Sequence, residues 1–445
     1  MKNEPVTDRI YDRVFEDEDD RLCDAIPDKS CTDVPRNFFL NALNGSATKL
    51  AEQLASPGLV LPWFLAALGA PAALAGFLVP IKRVFSLLPQ IIVAGSIRAY
   101  ATRKWFWTGA GIVQASMLLL IILTAMLTGE ILGGIIVLVL FAVFSAASGV
   151  GSVAFQDVMG KTIPKGRRGR LLAIRATSGG ILTLGAGALL YAYVADESPV
   201  EVYYYLIGGA AALWLLGALL FARIREEPGS TEGGRNAIDE FRHGIRLLKD
   251  VAPFRHFVIT RILYVSVALS VPFYALYARE LTGAGASNLG IFVVVTGIAQ
   301  ILSSPFWGLF SDRSSRSVML LSGVFAVAGG VIAILLGSLP ESFHTAVAYS
   351  PVFLLVGFAE AGVRVGRKTY LVDAAPEKDR PLYVAMSNTV VGACTILAGG
   401  LGFIADTVGL VALLIIFIIL ASGGSLSAIL LPKAEEFKEK GNIHE

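Results

Sequence analysis

Long apolar segments alternate with short polar ones along most of the chain. A window of about 20 residues, the length that an α-helix needs to cross a 30 Å hydrocarbon layer, identifies twelve such segments. Runs this long do not fit the strands of a membrane barrel, whose polarity alternates over about ten residues. The pattern therefore predicts an all-α integral membrane protein with twelve transmembrane helices. These spans 1 to 12 cover residues 38–67, 71–97, 105–128, 131–160, 171–194, 202–223, 254–279, 286–310, 317–338, 346–373, 383–405 and 408–431.

Composition supports the membrane interpretation and removes most enzyme classes. Hydrophobic residues make up 55% of the 445 residues and charged residues 16%, whereas soluble domains carry about 25% charged residues. The three cysteines form no disulfide framework, and the four histidines lack the spacing of metal ligands. No nucleophile–base pair is evident. We therefore expect no enzymatic activity, no cofactor and no metal site.

Basic residues are strongly biased to one side of the predicted helices. Twenty-one lysines and arginines lie where even-numbered spans lead to odd-numbered ones, whereas the opposite loops contain one, Arg279. Under the positive-inside rule, this bias predicts a plasma (inner) membrane protein with both termini in the cytoplasm.

The polar segments divide the chain into five parts. Residues 1–36 form an acidic cytoplasmic tail, and residues 433–445 a second tail. Residues 37–225 and 254–432 form six-helix bundles, joined by a cytoplasmic linker at 226–253. Within this linker, Ile238, Phe241, Ile245 and Leu248 recur at helical spacing, which predicts an amphipathic helix on the inner membrane face.

The two predicted bundles resemble each other in sequence. The segment Pro164–Arg168 matches Pro376–Arg380 at an offset of 212 residues, and Lys49 of span 1 falls opposite Arg261 of span 7. Six helices, a linker and six more in the same orientation predict pseudo-symmetric parallel repeats about an axis along the membrane normal.

The loop between spans 8 and 9 carries a recognisable motif. It runs Gly308-Leu-Phe-Ser-Asp312-Arg313-Ser-Ser-Arg316 and resembles the loop signature of the major facilitator superfamily of secondary transporters. With the helix count, linker and repeat, the resemblance covers roughly residues 36–432. It implies alternating access to a central site lined by spans 1, 4, 7 and 10. The corresponding first-half loop departs from the signature, because Ala99 occupies the position of the acid.

The resemblance also implies ion pairs that close the cytoplasmic gate. We expect Asp312, with Arg313 and Arg316, to tie the second-half helices together, and Arg168 and Arg380 to contact the inner ends of neighbouring helices. Arg175, near the same interface, is expected to snorkel or to act as a gate residue. The candidate gating residues are Asp157, Arg168, Asp312, Arg313, Arg316, Asp373 and Arg380.

Ionised residues deep in the spans are candidates for the substrate site. Each costs about 2.5–3.5 kcal/mol at the bilayer centre unless it has a partner or a wet cavity. The alternative for Glu360 and Arg364, four residues apart, is an internal ion pair that holds span 10 in place. The candidate substrate-binding residues are Lys49, Glu52, Lys82, Arg83, Arg261, Tyr264, Glu360, Arg364 and Asn388.

Together these features predict a secondary active transporter of a small solute. Deep basic residues outnumber deep acids by five to two, which favours an organic anion or zwitterion bound chiefly by Arg364. No nucleotide-binding motif is evident, so the energy is expected to come from an ion or solute gradient. A proton or cation is the candidate coupling ion, with Glu52 as the candidate proton carrier. We expect a monomer in the lipid bilayer that binds no nucleic acid. The alternative is a transporter-like sensor or lipid-handling protein that moves no solute; a membrane enzyme is a distant third.

Overall fold

The computed structural model describes residues 33–98, 100–193, 200–228, 245, 247–283, 285–311, 314–375 and 380–432. Apart from a short 3₁₀ turn at Glu341–Phe343, the regular structure in these ranges is α-helical. The helices are α1 Val34–Leu54, α2 Val60–Ala67, α3 Ala72–Arg98, α4 Lys104–Leu127, α5 Glu130–Thr162, α6 Lys165–Tyr193, α7 Glu201–Ala222, α8 Ala252–Leu263, α9 Val265–Thr282, α10 Ala286–Ser311, α11 Ser315–Ser338, α12 Ala346–Ala374, α13 Arg380–Gly399, α14 Gly402–Thr407 and α15 Leu410–Leu430.

The all-α membrane character predicted from the sequence is confirmed. Within the described residues, ten helical segments are long and apolar enough to cross a membrane, with α8 and α9 counted as one and α13 and α14 as another. Their outer faces present large apolar side chains, among them Leu127 at 73% and Leu397 at 80% exposure, as lipid-facing surfaces do. Most of the acidic tail, most of the linker helix and the C-terminal tail lie outside the described residues.

Three predicted spans are broken rather than continuous. Span 1 divides into α1 and α2, where Pro57 disfavours helical geometry at Ser56 and the Ser56 hydroxyl accepts a hydrogen bond from the backbone N–H of Val60 at 3.2 Å. Span 11 divides at Gly400, between α13 and α14. Span 7 divides at Tyr264, which lies between α8 and α9 and follows no glycine or proline.

Helices α1–α7 and α8–α15 meet at one end of the molecule. We call the end with the loops at 98–104, 162–165, 222–228 and 311–315 the basic end, and the other the opposite end. At the opposite end α6 packs against α10, and α3 packs against α13 and α14. A methyl group built on Gly187 of α6 would lie 2.8 Å from the backbone nitrogen of Val294 and 2.9 Å from the carbonyl of Gly290. The two backbones are therefore in direct contact.

Polar contacts reinforce this closed end. The carboxylate of Asp406 in α14 accepts hydrogen bonds from the backbone N–H groups of Ala72 and Ala73, both at 2.9 Å. It thus caps the N-terminus of α3 from the other half of the chain. The indole N–H of Trp63 in α2 donates to the carbonyl of Ala275 in α9 at 2.8 Å.

Candidate substrate-binding site

A cavity of about 290 Å³ lies on the basic-end side of these contacts. It is enclosed by α3 of the first half and by α8, α9, α11, α12 and α13 of the second, together with Tyr264. Six of the nine substrate-binding candidates line it: Arg83, Arg261, Tyr264, Glu360, Arg364 and Asn388.

One face of α12 supplies three charged groups to the cavity. Glu360, Arg364 and Arg367 follow at intervals of four and three residues, so they project from the same side of the helix. The ion pair that the spacing of Glu360 and Arg364 allows is not formed: the Glu360 carboxylate instead lies 3.8 Å from the Arg83 guanidinium of α3. Arg364 makes no hydrogen bond or ion pair within the described part of the chain.

Arg261 is held in the cavity wall by neutral groups. Its guanidinium donates to the hydroxyl of Ser387 and, at 2.9 Å, to the amide oxygen of Asn388, and it lies over the ring of Phe257. The residue is only 6% exposed. These partners fix the guanidinium but leave its charge unopposed. Tyr264, also predicted as a ligand, donates its hydroxyl to the carbonyl of Met319 at 2.6 Å and is thereby engaged in packing.

The remaining three substrate-binding candidates form a separate cluster in the first half. The ammonium of Lys49 lies 2.8 Å from the Glu52 carboxylate, and Lys82 is 3.3 Å from the Ser148 hydroxyl and above the ring of Phe144. None of the three lines the cavity. Lys82 and the neighbouring Arg83 diverge because successive helical residues point about 100° apart.

Arg175 does not snorkel, which was one of the two roles expected from its position, and it does not line the cavity. It is 9% exposed and donates to the backbone and side-chain oxygens of Asn41 and, at 3.2 Å, to the side chain of Asn44. Asn44 in turn donates to the carbonyl of Gly217 at 2.9 Å. The polar face of α1 therefore joins it to α6 and α7.

The gating candidates whose side chains the structure describes lie at the basic end. Asp157 of α5 forms an ion pair with Arg103 at 3.1 Å. Arg168 donates to the carbonyls of Gly160 and Ile163, at the C-terminus of α5, and Arg316 donates to that of Leu431, just beyond α15. Asp312 and Arg313 lie outside the described residues, as do the side chains of Asp373 and Arg380.

Glu226 completes the basic end of the first half, although sequence reasoning treated it as the start of a spacer. Its carboxylate is 0% exposed. One oxygen accepts the backbone N–H groups of Arg103 and Lys104, both at 2.8 Å, and the other pairs with Lys161 at 2.8 Å. Glu227 follows it directly in the sequence, so no feature of the local sequence distinguished Glu226 from its neighbour.

Sequence reasoning also missed polar residues of the cavity wall. Arg367 follows Arg364 by one helical turn, and that spacing could have placed it in the site. Ser86 lies three residues after Arg83 on α3, and Thr395 lies on α13 beyond Asn388. Neither carries a charge that would have marked it in an apolar span.

Comparisons with known proteins agree with the fold. Residues 256–444 match the sequence profile of the Major Facilitator Superfamily. An uncharacterized protein of Mycobacterium tuberculosis is 26% identical over 410 residues, which cover 88% of this chain and 77% of the relative. A mutant of the nucleoside transporter NupG superposes with a TM-score of 0.72 and 14% identity, covering 89% of this chain and 100% of that structure. A D-xylose–proton symporter superposes with a TM-score of 0.57 and 17% identity, covering 91% of this chain and 98% of that structure.

The chain is therefore a multi-pass integral membrane protein with the fold seen in the nucleoside transporter and the D-xylose–proton symporter. The chain resembles the Major Facilitator Superfamily, as the loop motif and repeat in its sequence predict.

Proposed function

We propose that the protein moves a small organic anion, or a zwitterion with an exposed carboxylate, across the membrane by alternating access. Residues 37–225 and 254–432 form two six-helix bundles, twelve membrane helices in all, that rock about the cavity. Both termini lie in the cytoplasm.

The charge of the cavity carries this proposal. Among the described residues, Arg83, Arg261, Arg364 and Arg367 line it with a single carboxylate, Glu360. Three positive charges in excess repel one another within the membrane-spanning part of the molecule, and a bound anion offsets that repulsion. Guanidinium groups suit carboxylates and phosphates because their paired N–H donors match two oxygens at once.

The arrangement of the halves corresponds to one state of the transport cycle. The helices are closed at the opposite end, and the cavity lies on the basic-end side. With the basic end in the cytoplasm, this conformation faces inward. In the outward state, α6 separates from α10, and the bundles approach each other at the basic end.

Ligand binding by Arg364→Gln tests the proposal. Purified protein is titrated with matched pairs, succinate with succinamide and glycerol 3-phosphate with glycerol, and binding is followed by thermal stabilisation and calorimetry. We expect the wild type to prefer an anion. Arg364→Gln is expected to weaken binding of that anion about 10- to 150-fold, because the variant loses one charge-assisted contact of about 1.5–3 kcal/mol.

Lys368→Gln is the matched control, because Lys368 is on the same helix, exposed and outside the cavity lining. It removes the same charge from the helix and is expected to bind the anion as the wild type does. Equal losses for anionic and neutral ligands in Arg364→Gln would mean that Arg364 only holds α12 in place. Binding without movement of solute in reconstituted vesicles would favour the sensor alternative.

A further inference from the structure

Positive charge exceeds negative charge in both ion clusters near the centre of the molecule. Around the cavity, four guanidinium groups accompany the carboxylate of Glu360. Arg364 and Arg367 make no hydrogen bond or ion pair within the described residues, and Arg261 has neutral partners. In the first half, Lys49, Lys82 and Arg175 lie within electrostatic reach of Glu52. Each described carboxylate in these clusters is thus outnumbered.

This imbalance matters most when access switches from one side to the other. The closing cavity must pass through a state shut at both ends, in which its arginines lose most of their water. Buried charge without a counter-charge is strongly disfavoured. A bound anion supplies the missing counter-charge, whereas the empty cavity has only the carboxylate of Glu360 to oppose its four guanidinium groups. The empty carrier therefore meets a high barrier, and the loaded carrier a low one.

From this difference we infer that the protein is an obligatory exchanger of small dianions: one dianion is carried across only when another is carried back. The inference rests on the proposed function and specifies both its substrate class and its mode. Of the ion and solute gradients that the sequence left open, it selects the solute gradient, because a counter-anion, rather than a co-transported proton or cation, returns the carrier.

The number and placement of the arginines favour two negative charges over one. A monoanion would leave two of the three excess charges uncompensated, whereas a dianion leaves one. Arg364 and Arg367 lie one turn apart on α12, and Arg83 projects from the other half of the molecule, so a dianion can contact both halves. Apolar residues of the wall (Leu87, Val265, Ala268, Met319 and Val363) suit a short carbon skeleton. Small dicarboxylates and organic phosphates share this chemistry.

The test measures uptake into vesicles that contain the full-length protein. They are preloaded with succinate, glycerol 3-phosphate, inorganic phosphate or neutral glycerol, and each radiolabelled anion is then added outside. We expect uptake of a labelled dianion to be at least about tenfold faster into vesicles loaded with a dianion than into glycerol-loaded ones. A difference of about 1.4 kcal/mol between the two activation barriers gives this ratio. A pH gradient is expected to leave this ratio unchanged. The anion that exchanges distinguishes the dicarboxylate from the phosphate source.

The outcomes separate this inference from the proposed function. Equal uptake into glycerol-loaded and dianion-loaded vesicles, or accumulation in glycerol-loaded vesicles driven by a pH gradient, overturns exchange and leaves anion transport intact. Binding of these anions without movement under any loading overturns the proposed function itself.

A variant tests the charge explanation directly. Arg367→Gln lowers the excess from three charges to two, so the empty carrier is expected to return more readily. The ratio of dianion-loaded to glycerol-loaded uptake then falls severalfold, even if both rates change. Lys368→Gln, outside the cavity, is expected to keep the wild-type ratio. An unchanged ratio in Arg367→Gln would contradict the link between cavity charge and exchange.

Discussion

Replacing Gly187 with leucine is expected to hold the transporter open at its opposite end and to stop transport. Even a methyl group at this position would lie within 3 Å of the backbone of α10, and backbone atoms cannot rotate away as a side chain can. Overpacking costs about 1–3 kcal/mol, which shifts an equilibrium between two states by about 5- to 150-fold. Leucine adds three more carbons, so we expect a shift at the upper limit of this range.

Gly185→Leu is the matched control. Gly185 lies two residues earlier on α6, and a methyl group there would meet nothing within 4 Å. Spin labels on cysteines introduced at Ala192 and Ser287, after the native cysteines are replaced by serine, report the distance between α6 and α10. We expect this distance to lengthen in Gly187→Leu and to stay at its wild-type value in Gly185→Leu. An unchanged distance with normal transport in Gly187→Leu would show that closure does not need the close helix contact.

Replacing Glu226 with glutamine is expected to destabilise the first half of the molecule. The change leaves Lys161 without its counter-charge and removes a charge-assisted acceptor from the first turn of α4. Breaking a buried ion pair by removing one partner costs about 3–5 kcal/mol. A clear fall in the thermal unfolding midpoint of the purified protein is therefore expected.

Two further variants separate the ion pair from general effects of charge. Glu227→Gln removes the neighbouring carboxylate and is expected to unfold at the wild-type temperature. Glu226→Gln combined with Lys161→Met removes both partners, so the double variant is expected to recover part of the lost stability. Wild-type stability in Glu226→Gln alone would mean that the linker start does not hold the first half together.

Helix positions were predictable from the sequence because each span must satisfy its own backbone within the apolar layer. The break at Tyr264 was not, because no residue there forces it. The lining role of Arg83 and Arg364 was predictable, since a deep arginine without a wet cavity is costly. The alternative of an internal pair between Glu360 and Arg364 came from local spacing, which could not show Arg83, 277 positions away in the chain, as the carboxylate's partner.

The roles of Arg175 and Glu226 were missed for the same reason: their partners are far away in the sequence. Arg175 looked like an interfacial residue, but its asparagine partners on α1 lie more than 130 residues earlier in the chain. Glu226 looked like part of a polar spacer, and its backbone partners at the start of α4 lie more than 120 residues away. The sequence shows where an ionised side chain is energetically unfavourable unless it has a partner, but the identity of that partner depends on how distant helices pack.

The cap that Asp406 places on α3 has a consequence for the order in which the protein is made. The residues just before α3, Gly69-Ala70-Pro71, offer no side-chain acceptor, so the first amide groups of this helix have no cap of their own. The carboxylate that satisfies them is synthesised 334 residues later. We therefore expect the first turn of α3 to gain this cap only after the last helices of the chain have been inserted. The N-terminus of a helix in the first half of the chain thus depends on a side chain in the second half.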